Sequence, residues 1–302
     1  MFSFLRIRAA FIGVLSFLWL APLHAIASST AENVLLDKYR AIESQLVQNH
    51  FGMPLSIEST EGKDFLHVEV YSIIDHPFAT VQSALGTPAH WCDIVPLHTS
   101  IGVCTYAKAD DAPLLIFYAG KKAVSRPDKA HQLKYRYHIR SNRPGYFSLL
   151  LAADEGPLDT RDHRIELEAM PLSDGKTFIH FSCSYRHGRL VKVAMKGYFA
   201  TAGRHKIGFS PVGTDKQGNP VYVRGVKGAI ERNAMRSYLA IVSYMDTLEL
   251  SGEQRLEQRL NRWYDLTERY REQLHEVEKG EYIAGKKQGY RTQLLLQSRL
   301  SS

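Results

Sequence analysis

The chain has 302 residues, of which 44% are hydrophobic, and 38 Lys and Arg against 31 Asp and Glu give a formal net charge of +7 at pH 7. This length allows one large domain with an appendage, or two small domains. Because acidic residues lie between the basic ones along the chain, the mild positive charge suits contact with an anionic membrane surface and argues against a nucleic-acid partner.

The first 27 residues have the three parts of a secretory signal peptide. Arg6 and Arg8 come first, an apolar run over residues 9–23 follows, and a small-residue pattern ends at Ala27. A membrane-spanning helix needs roughly 20 apolar residues, and this run is shorter. We therefore expect cleavage after Ala27 and a periplasmic or secreted protein. The alternative is an uncleaved segment that anchors the chain in the inner membrane.

Residues 28–54 are predicted to form an N-terminal helix. Apolar side chains recur there at near-helical spacing, at Val34, Leu35, Tyr39, Ile42 and Leu46. This spacing indicates a helix that covers another apolar surface.

Residues 55–248 form the main predicted domain. Two extended segments, 55–59 and 65–74, flank a turn, and Asp75 and Pro77 then begin a short helical pair that carries Trp91. Six further strands follow, and their connections are short, so the sheet should be mostly antiparallel. These strands are predicted over residues 102–107, 114–120, 131–140, 146–153, 163–169 and 177–185.

Several of these strands are apolar on one face only. Leu133, Tyr135 and Tyr137 alternate with charged or polar residues, and the strands over 163–169 and 177–185 show the same pattern. A one-sided sheet must bury its apolar face against a helix or curl around a cavity.

A long apolar stripe predicts the helix that covers this face. Over residues 222–248, apolar side chains recur at intervals of three and four. Residues 249–302 are predicted to form a charged helical extension. Its first helix, at about 252–279, carries Leu256, Leu260 and Trp263 among many Glu and Arg residues, so we expect an exposed amphipathic appendage.

The order of these elements resembles the helix-grip fold of the START-like (SRPBCC) superfamily. The resemblance rests on residues 68–78, where a strand enters a short helix, and on Val81, Leu85, Trp91 and Asp93 after it. It covers about residues 55–248. It implies an α+β fold in which a curved antiparallel sheet surrounds a long C-terminal helix, here with an additional charged C-terminal helix. It also implies an apolar cavity between sheet and helix, of the kind that often holds a lipid or sterol.

The predicted cavity lining combines inward strand residues with residues of the long helix. Tyrosine has an apolar body and a polar tip, which suits an amphipathic ligand, although an ordinary core has the same composition. We expect a cavity of roughly 300–1,000 Å³, the usual range for ligand sites. The candidate ligand-binding residues are Tyr135, Tyr137, Phe181, Tyr185, Ile230, Ala234 and Tyr238.

A second candidate surface lies between the last strand and the long helix. The segment over residues 188–209 has apolar positions at helical spacing, with Lys192 and Lys196 one turn apart. Such a helix can lie on anionic lipid, so Lys192 and Lys196 are candidate membrane contacts near the cavity mouth. The alternative is an amphipathic element that packs over the sheet with solvated lysines.

Three cysteines are present, Cys92, Cys104 and Cys183. An oxidising compartment favours a disulfide, and the short loop between Cys92 and Cys104 makes them the predicted pair. No CxxC motif and no nearby His–Cys cluster has ligand spacing, so we expect no metal and no cofactor.

Motifs for catalysis are missing, and we assign no catalytic residue: the sequence has no GxSxG, HExxH, Walker or GxGxxG pattern. The leading hypothesis is an exported binding protein for a hydrophobic small molecule or lipid, with lipid transport as a further role. One alternative is an enzyme that uses the same cavity, in the manner of cyclases and hydrolases of the superfamily. The other is a non-catalytic interaction protein of the cell envelope, whose protein partner the sequence does not identify.

Overall fold

The computed structural model describes residues 23–109, 111–120, 126–201 and 203–301. Most of the predicted signal peptide, residues 1–22, lies outside this part. The strands are β1 (Leu55–Glu61), β2 (Phe65–Ile74), β3 (Ile101–Ala107), β4 (Leu114–Ala119), β5 (His131–Arg143), β6 (Tyr146–Glu155), β7 (Arg161–Pro171), β8 (Thr177–Arg186), β9 (Ile207–Thr214) and β10 (Pro220–Arg224). The α-helices are α1 (Leu23–Val47), α2 (Phe78–Leu85), α3 (Pro88–Ile94), α4 (Arg189–Ala200), α5 (Gly225–Met245), α6 (Gly252–Glu268), α7 (Arg271–Leu274) and α8 (Lys279–Ser301).

Eight strands form one antiparallel sheet in the order β1-β2-β8-β7-β6-β5-β4-β3. All eight overlap predicted strands, because turn residues separate them and because β5, β7 and β8 alternate between apolar and polar residues. Strand β2 of the β1–β2 hairpin pairs with β8, the last strand of this sheet along the chain, and β1 forms one edge.

The inner face of the sheet packs against α5. On this face the side chains of Val70, Leu149 and Phe181 are almost completely buried. Tyr238 of α5, which is also buried, packs against the same face. The predicted helix-grip α+β fold is thus confirmed, with α5 as the gripped helix.

The long helix begins three residues later than predicted. Tyr222 belongs to β10, which forms a two-stranded sheet with β9 that the sequence did not indicate. Gly225 lies between β10 and the helix with φ +64°, a left-handed conformation that glycine adopts without strain.

The outer face of the sheet is partly covered by α1, as its apolar spacing indicated. A second, smaller core lies there, and it joins the helix to strands β2, β6, β7 and β8. It contains Leu35, Ile42, Leu46, Tyr71, Tyr146, Met170 and Phe178.

The expectation of an exposed appendage after residue 248 is wrong. Leu260 and Trp263 of α6 are each 2% exposed and belong to the main core. Trp263 donates from Nε1 to the Arg236 carbonyl at 3.0 Å and stacks on Tyr282 of α8 with ring centroids 4.8 Å apart. The dense charge suggested exposure, but most of the apolar stripe of α6 packs into the main core, with Leu256 partly buried.

Helix α8 covers the free edge of the sheet. The Gln297 side chain exchanges two hydrogen bonds of 2.9 Å with the backbone of Tyr106 on β3, and Gln293 lies one turn before it. Unpaired strand edges favour unwanted pairing, so this cover protects β3. In the described part of the chain, no helix is both long and apolar enough to cross a membrane.

Candidate functional site

A cavity of about 230 Å³ lies between α5 and the half of the sheet that contains β4, β5, β7 and β8. Helix α3 and the residues after it close one side. Its walls are mainly apolar, with Trp91, Phe117, Tyr135 and Phe181 as the aromatic side chains. The exposed residues Ser100 and Asn233 and the half-buried Ser237 lie at its rim.

The cavity follows from the way α5 packs. On the β1–β2 side, Tyr238 fills the space between helix and sheet, and its hydroxyl and that of Ser72 share a hydrogen bond of 2.5 Å. On the side toward β4 and β5, α5 presents the small residues Ser237 and Ala240. Small side chains opposite a curved sheet leave a gap, because a close-packed interior needs volume from both walls.

His98 is the histidine of the cavity lining. Burial lowers its pKa well below the usual range, and the nearby charges of Arg236 and Lys286 lower it further. Its Nδ1 accepts the Ser100 backbone N–H at 3.0 Å, so the neutral ring carries its proton on Nε2. A neutral N–H donor in an apolar wall can orient the polar end of a ligand.

Tyr135 is the second polar group of the lining. Burial raises the pKa of its hydroxyl, so the side chain stays protonated. The described residues provide no hydrogen bond that the structure records for this hydroxyl. The neighbouring Tyr137 differs, because its hydroxyl donates to the Leu85 carbonyl at 3.0 Å, which also accepts from Trp91 Nε1 at 2.9 Å.

Two of the seven predicted ligand-binding residues line this cavity, Tyr135 and Phe181. The hydroxyls of Tyr238 and Tyr137 instead form hydrogen bonds within the protein, with the Ser72 hydroxyl and the Leu85 carbonyl. Tyr185 stacks on His163 with ring centroids 5.2 Å apart, and Ile230 and Ala234 are buried in the main core. None of these five residues is part of the cavity lining.

The cavity is also smaller than the predicted range of roughly 300–1,000 Å³. The physical reason is the size of the aromatic walls, which fill much of the wedge between sheet and helix. The volume suits one apolar group of a ligand, such as an acyl chain or a ring, rather than a whole lipid.

Several lining residues were missed from the sequence. Leu133 was recognisable, since it alternates with Tyr135 on the inward face. Ser237 and Ala240 lie beside the apolar stripe of α5, and nothing in a helical period shows that a second face is also covered. His98 follows the helical pair as an ordinary loop residue and has no local signal.

The segment predicted as a helix over residues 188–209 is helical only over Arg189–Ala200, and its end belongs to β9. The side chains of Lys192 and Lys196 lie outside the described part. Helix α4 contacts α5, which carries the cavity rim. Val193 is 72% exposed and Tyr198 is 43% exposed, so α4 presents apolar surface to its surroundings.

The cysteines take the arrangement that the loop length suggested. Cys92 and Cys104 are joined in a disulfide with Cα atoms 4.9 Å apart. Cys183 is free, and burial raises its thiol pKa to about 12, so it is a poor nucleophile. Among the described residues, no group of three or more His, Cys, Asp or Glu side chains is placed to hold a metal ion.

Comparison with solved structures found similar chains at low identity. Human StAR-related lipid transfer protein 5 is 11% identical, with 74% of this chain and 99% of that chain covered and a TM-score of 0.36. Ara h 8.0201 is 11% identical, with coverage of 64% and 99% and a TM-score of 0.36. Truncated norcoclaurine synthase from Thalictrum flavum is 12% identical, with coverage of 45% and 86% and a TM-score of 0.33.

No protein-family profile matches the chain, and no curated protein matches it. Structural likenesses of this size do not transfer a ligand or an activity. The function therefore has to be argued from the cavity itself.

Proposed function

We propose that this chain is an exported START-like protein that binds a hydrophobic or amphipathic ligand, such as a lipid, in the cavity between α5 and the sheet. The observation that carries the proposal is the cavity of about 230 Å³ with aromatic walls and a polar rim. An apolar gap in a close-packed core forfeits packing contacts, so a ligand that fills it gains them.

The lining favours binding over catalysis. Its described residues contain no carboxylate, and its one histidine, His98, has its Nδ1 engaged by a backbone N–H. The polar groups that remain, His98 Nε2–H and the Tyr135 hydroxyl, suit a hydrogen bond to one polar end of an amphipathic molecule. We infer that the apolar part enters first and that the polar end stays near the rim at Asn233 and Ser237.

The experiment is to measure the affinity for a fluorescent fatty acid in three proteins. Replacement Ser237→Trp puts a large ring into the rim of the cavity, so it should weaken binding at least about tenfold. Replacement Lys227→Trp is the matched control, because Lys227 is on α5 but outside the lining, and its affinity should stay unchanged. Equal affinity in a folded Ser237→Trp protein would remove the cavity from the proposal.

Export and membrane contact are part of the same proposal. The signal-like residues 1–27 and the apolar exposed face of α4 support a protein that works in the periplasm beside an anionic membrane. N-terminal sequencing of the protein from fractionated cells should give Ser28 as the first residue in the periplasmic fraction. An intact Met1 in the membrane fraction would support the anchored alternative, and an intact Met1 in the cytosol would contradict export.

A further inference from the structure

A second and larger cleft lies on the opposite side of the segment that closes the cavity. Its volume is about 540 Å³, and it is formed by α3, α6, α8 and the residues after α3. Trp91, Ile94 and Val95 point toward the cavity, whereas Asp93 and Pro96 line the cleft. The segment therefore has two lined faces, as helical periodicity requires.

The cleft differs from the cavity in its charge. Its described lining has two carboxylates, on Asp93 and Glu257, and a larger number of cations. The cationic residues are Arg255, Arg259, Lys286, Lys287 and Arg291. Burial lowers the pKa of Lys286 to about 7. The four other basic residues against two carboxylates still leave an excess of positive charge inside a concave surface, where the field is focused.

Arg259 is a buried arginine in the wall of the cleft. The residue is 3% exposed, its Nε donates to Thr247 Oγ1 at 3.1 Å, and its Nη1 lies 3.4 Å from the Asp93 carboxylate. Its guanidinium also lies over the Tyr244 ring, 4.3 Å from the centroid. The remaining nitrogen, Nη2, is buried and has no hydrogen-bond partner in the described part of the chain. A buried N–H donor without a partner is costly, so an acceptor supplied by a ligand would stabilise it.

The other basic side chains of the cleft could also donate hydrogen bonds to a ligand. Lys286 donates from Nζ to the carbonyls of His98 and Ile101 at 2.7 Å each, which fixes the ammonium at the cleft wall. Lys287 pairs with Glu257 at 3.3 Å, and both are partly solvated. For Arg291, which is exposed, the structure records no ion pair with a described residue.

We propose that this cleft binds a phosphate-bearing polyanion through Arg259, Lys287 and Arg291. A guanidinium binds phosphate oxygens through two parallel N–H groups, and a phosphate would give Nη2 the acceptor it lacks. Several phosphate or other anionic groups are needed to match the excess charge and the volume. The same chemistry is offered by a soluble phosphate compound and by a phosphorylated lipid headgroup.

Calorimetric titration with inorganic pyrophosphate tests the soluble source, and sedimentation with phosphatidylcholine vesicles that contain phosphatidic acid tests the headgroup. The double variant Lys287→Gln/Arg291→Gln should lose about tenfold in affinity for whichever probe binds. Arg259→Lys keeps the charge but loses the fork, so it should lose as much. Arg262→Gln is the control, because Arg262 lies on the same helix, pairs with Asp246 and is outside the cleft.

Melting temperatures identify variants that fail to fold. The Lys287→Gln/Arg291→Gln variant changes only half-buried or exposed side chains, so we expect it to fold. It therefore still tests the proposal if the Arg259→Lys protein is unstable. Pyrophosphate binding that the cleft variants weaken supports a soluble ligand, and vesicle binding that they weaken supports a headgroup. Absence of saturable binding in both arms would overturn the proposal. Equal binding by wild type and the folded variants would overturn it as well.

Discussion

Gln293 on α8 and Cys104 on β3 are joined by a hydrogen bond of 2.9 Å from the Cys104 backbone N–H to the Gln293 side-chain oxygen. The Gln293 side-chain nitrogen donates in turn to the Cys92 carbonyl at 2.9 Å. One buried amide thus bridges the backbones of the two disulfide-bonded residues and ties the C-terminal helix to the sheet edge.

Replacement Gln293→Ala should lower the free energy of unfolding by about 1–3 kcal/mol, because it leaves a buried N–H and a buried carbonyl without partners. Gln288→Ala, an exposed position on the same helix, is the matched control and should change it by less than about 0.5 kcal/mol. Urea unfolding monitored by tryptophan fluorescence measures both. Equal stabilities for the two variants would show that the bridge contributes nothing.

The thiols give a prediction that links structure and export. Protein recovered from the periplasm should show no thiol that reacts quickly with an alkylating reagent while folded, because Cys92 and Cys104 are joined and Cys183 is half-buried with a raised pKa. After unfolding without a reductant, it should take up one label, on Cys183. Mass spectrometry of the labelled protein counts the thiols, and three labels after unfolding would mean that the disulfide does not form.

Trp91 should be important for stability as well as for the cavity wall. It is 2% exposed, and its Nε1 donates to the Leu85 carbonyl, so Trp91→Ala should cost about 3–5 kcal/mol. Tyr106→Ala, which truncates an aromatic residue that is 38% exposed, should cost much less. Thermal and chemical denaturation test this, and a loss below about 1 kcal/mol for Trp91→Ala would contradict the anchoring role.

The outer face of the sheet contains a network that should make stability depend on pH. His180 lies between Glu69 and Glu168, at 3.2 and 2.7 Å, and its side chain is 13% exposed. Burial opposes the charge on His180, but the close contacts with the two carboxylates outweigh it and raise its pKa to about 9. Glu69, whose carboxylate lies 3.2 Å from His180 Nε2, has a lowered pKa, mainly because of this contact. The pKa of Glu168 is also lowered, since its bonds to His180 and Tyr146 outweigh burial.

A histidine with a raised pKa stabilises the fold fully below its unfolded value of 6.5, and this stabilisation is lost as the pH rises toward about 9. The carboxylates stabilise it above 4.5 and lose their contribution as the pH falls. The network therefore contributes most between about pH 4.5 and pH 6.5, where both carboxylates are ionised and His180 is charged.

Denaturant unfolding across this range should show wild type losing stability from pH 6.5 to about 9 relative to His180→Gln. His138→Gln, on β5 of the same face, should follow wild type. Parallel pH profiles for wild type and His180→Gln would contradict the network.

The sheet was predictable because its signal is local. Tyr135 and Tyr137 fall on the inward face by simple alternation, and the eight strands are separated by turn residues. The cavity lining was not predictable in detail, because it depends on which of two adjacent faces of α5 leaves a gap. Nothing in the sequence around Ser237 and Ala240 indicates that the gap lies on their face of the helix.

The C-terminal region shows a different limit of sequence reasoning. Arg259 and Trp263 lie in a segment rich in charge, and dense charge usually indicates a solvated helix. Arg259 is nevertheless buried, paired with Asp93 and stacked on Tyr244, contacts that come from residues more than a hundred positions away or from the neighbouring helix. The role of Gln293 could not be predicted from the sequence either, since its partners are backbone groups of a distant strand and a distant helix.

Native mass spectrometry of the protein purified from its own cell envelope tests most directly whether the cavity between α5 and the sheet holds a hydrophobic ligand. We predict a mass above that of the mature chain, an excess that organic extraction removes and that Ser237→Trp protein lacks. The Lys227→Trp protein should retain it. A mass equal to that of the chain alone in wild type, or the same bound mass in folded Ser237→Trp protein, would contradict the account.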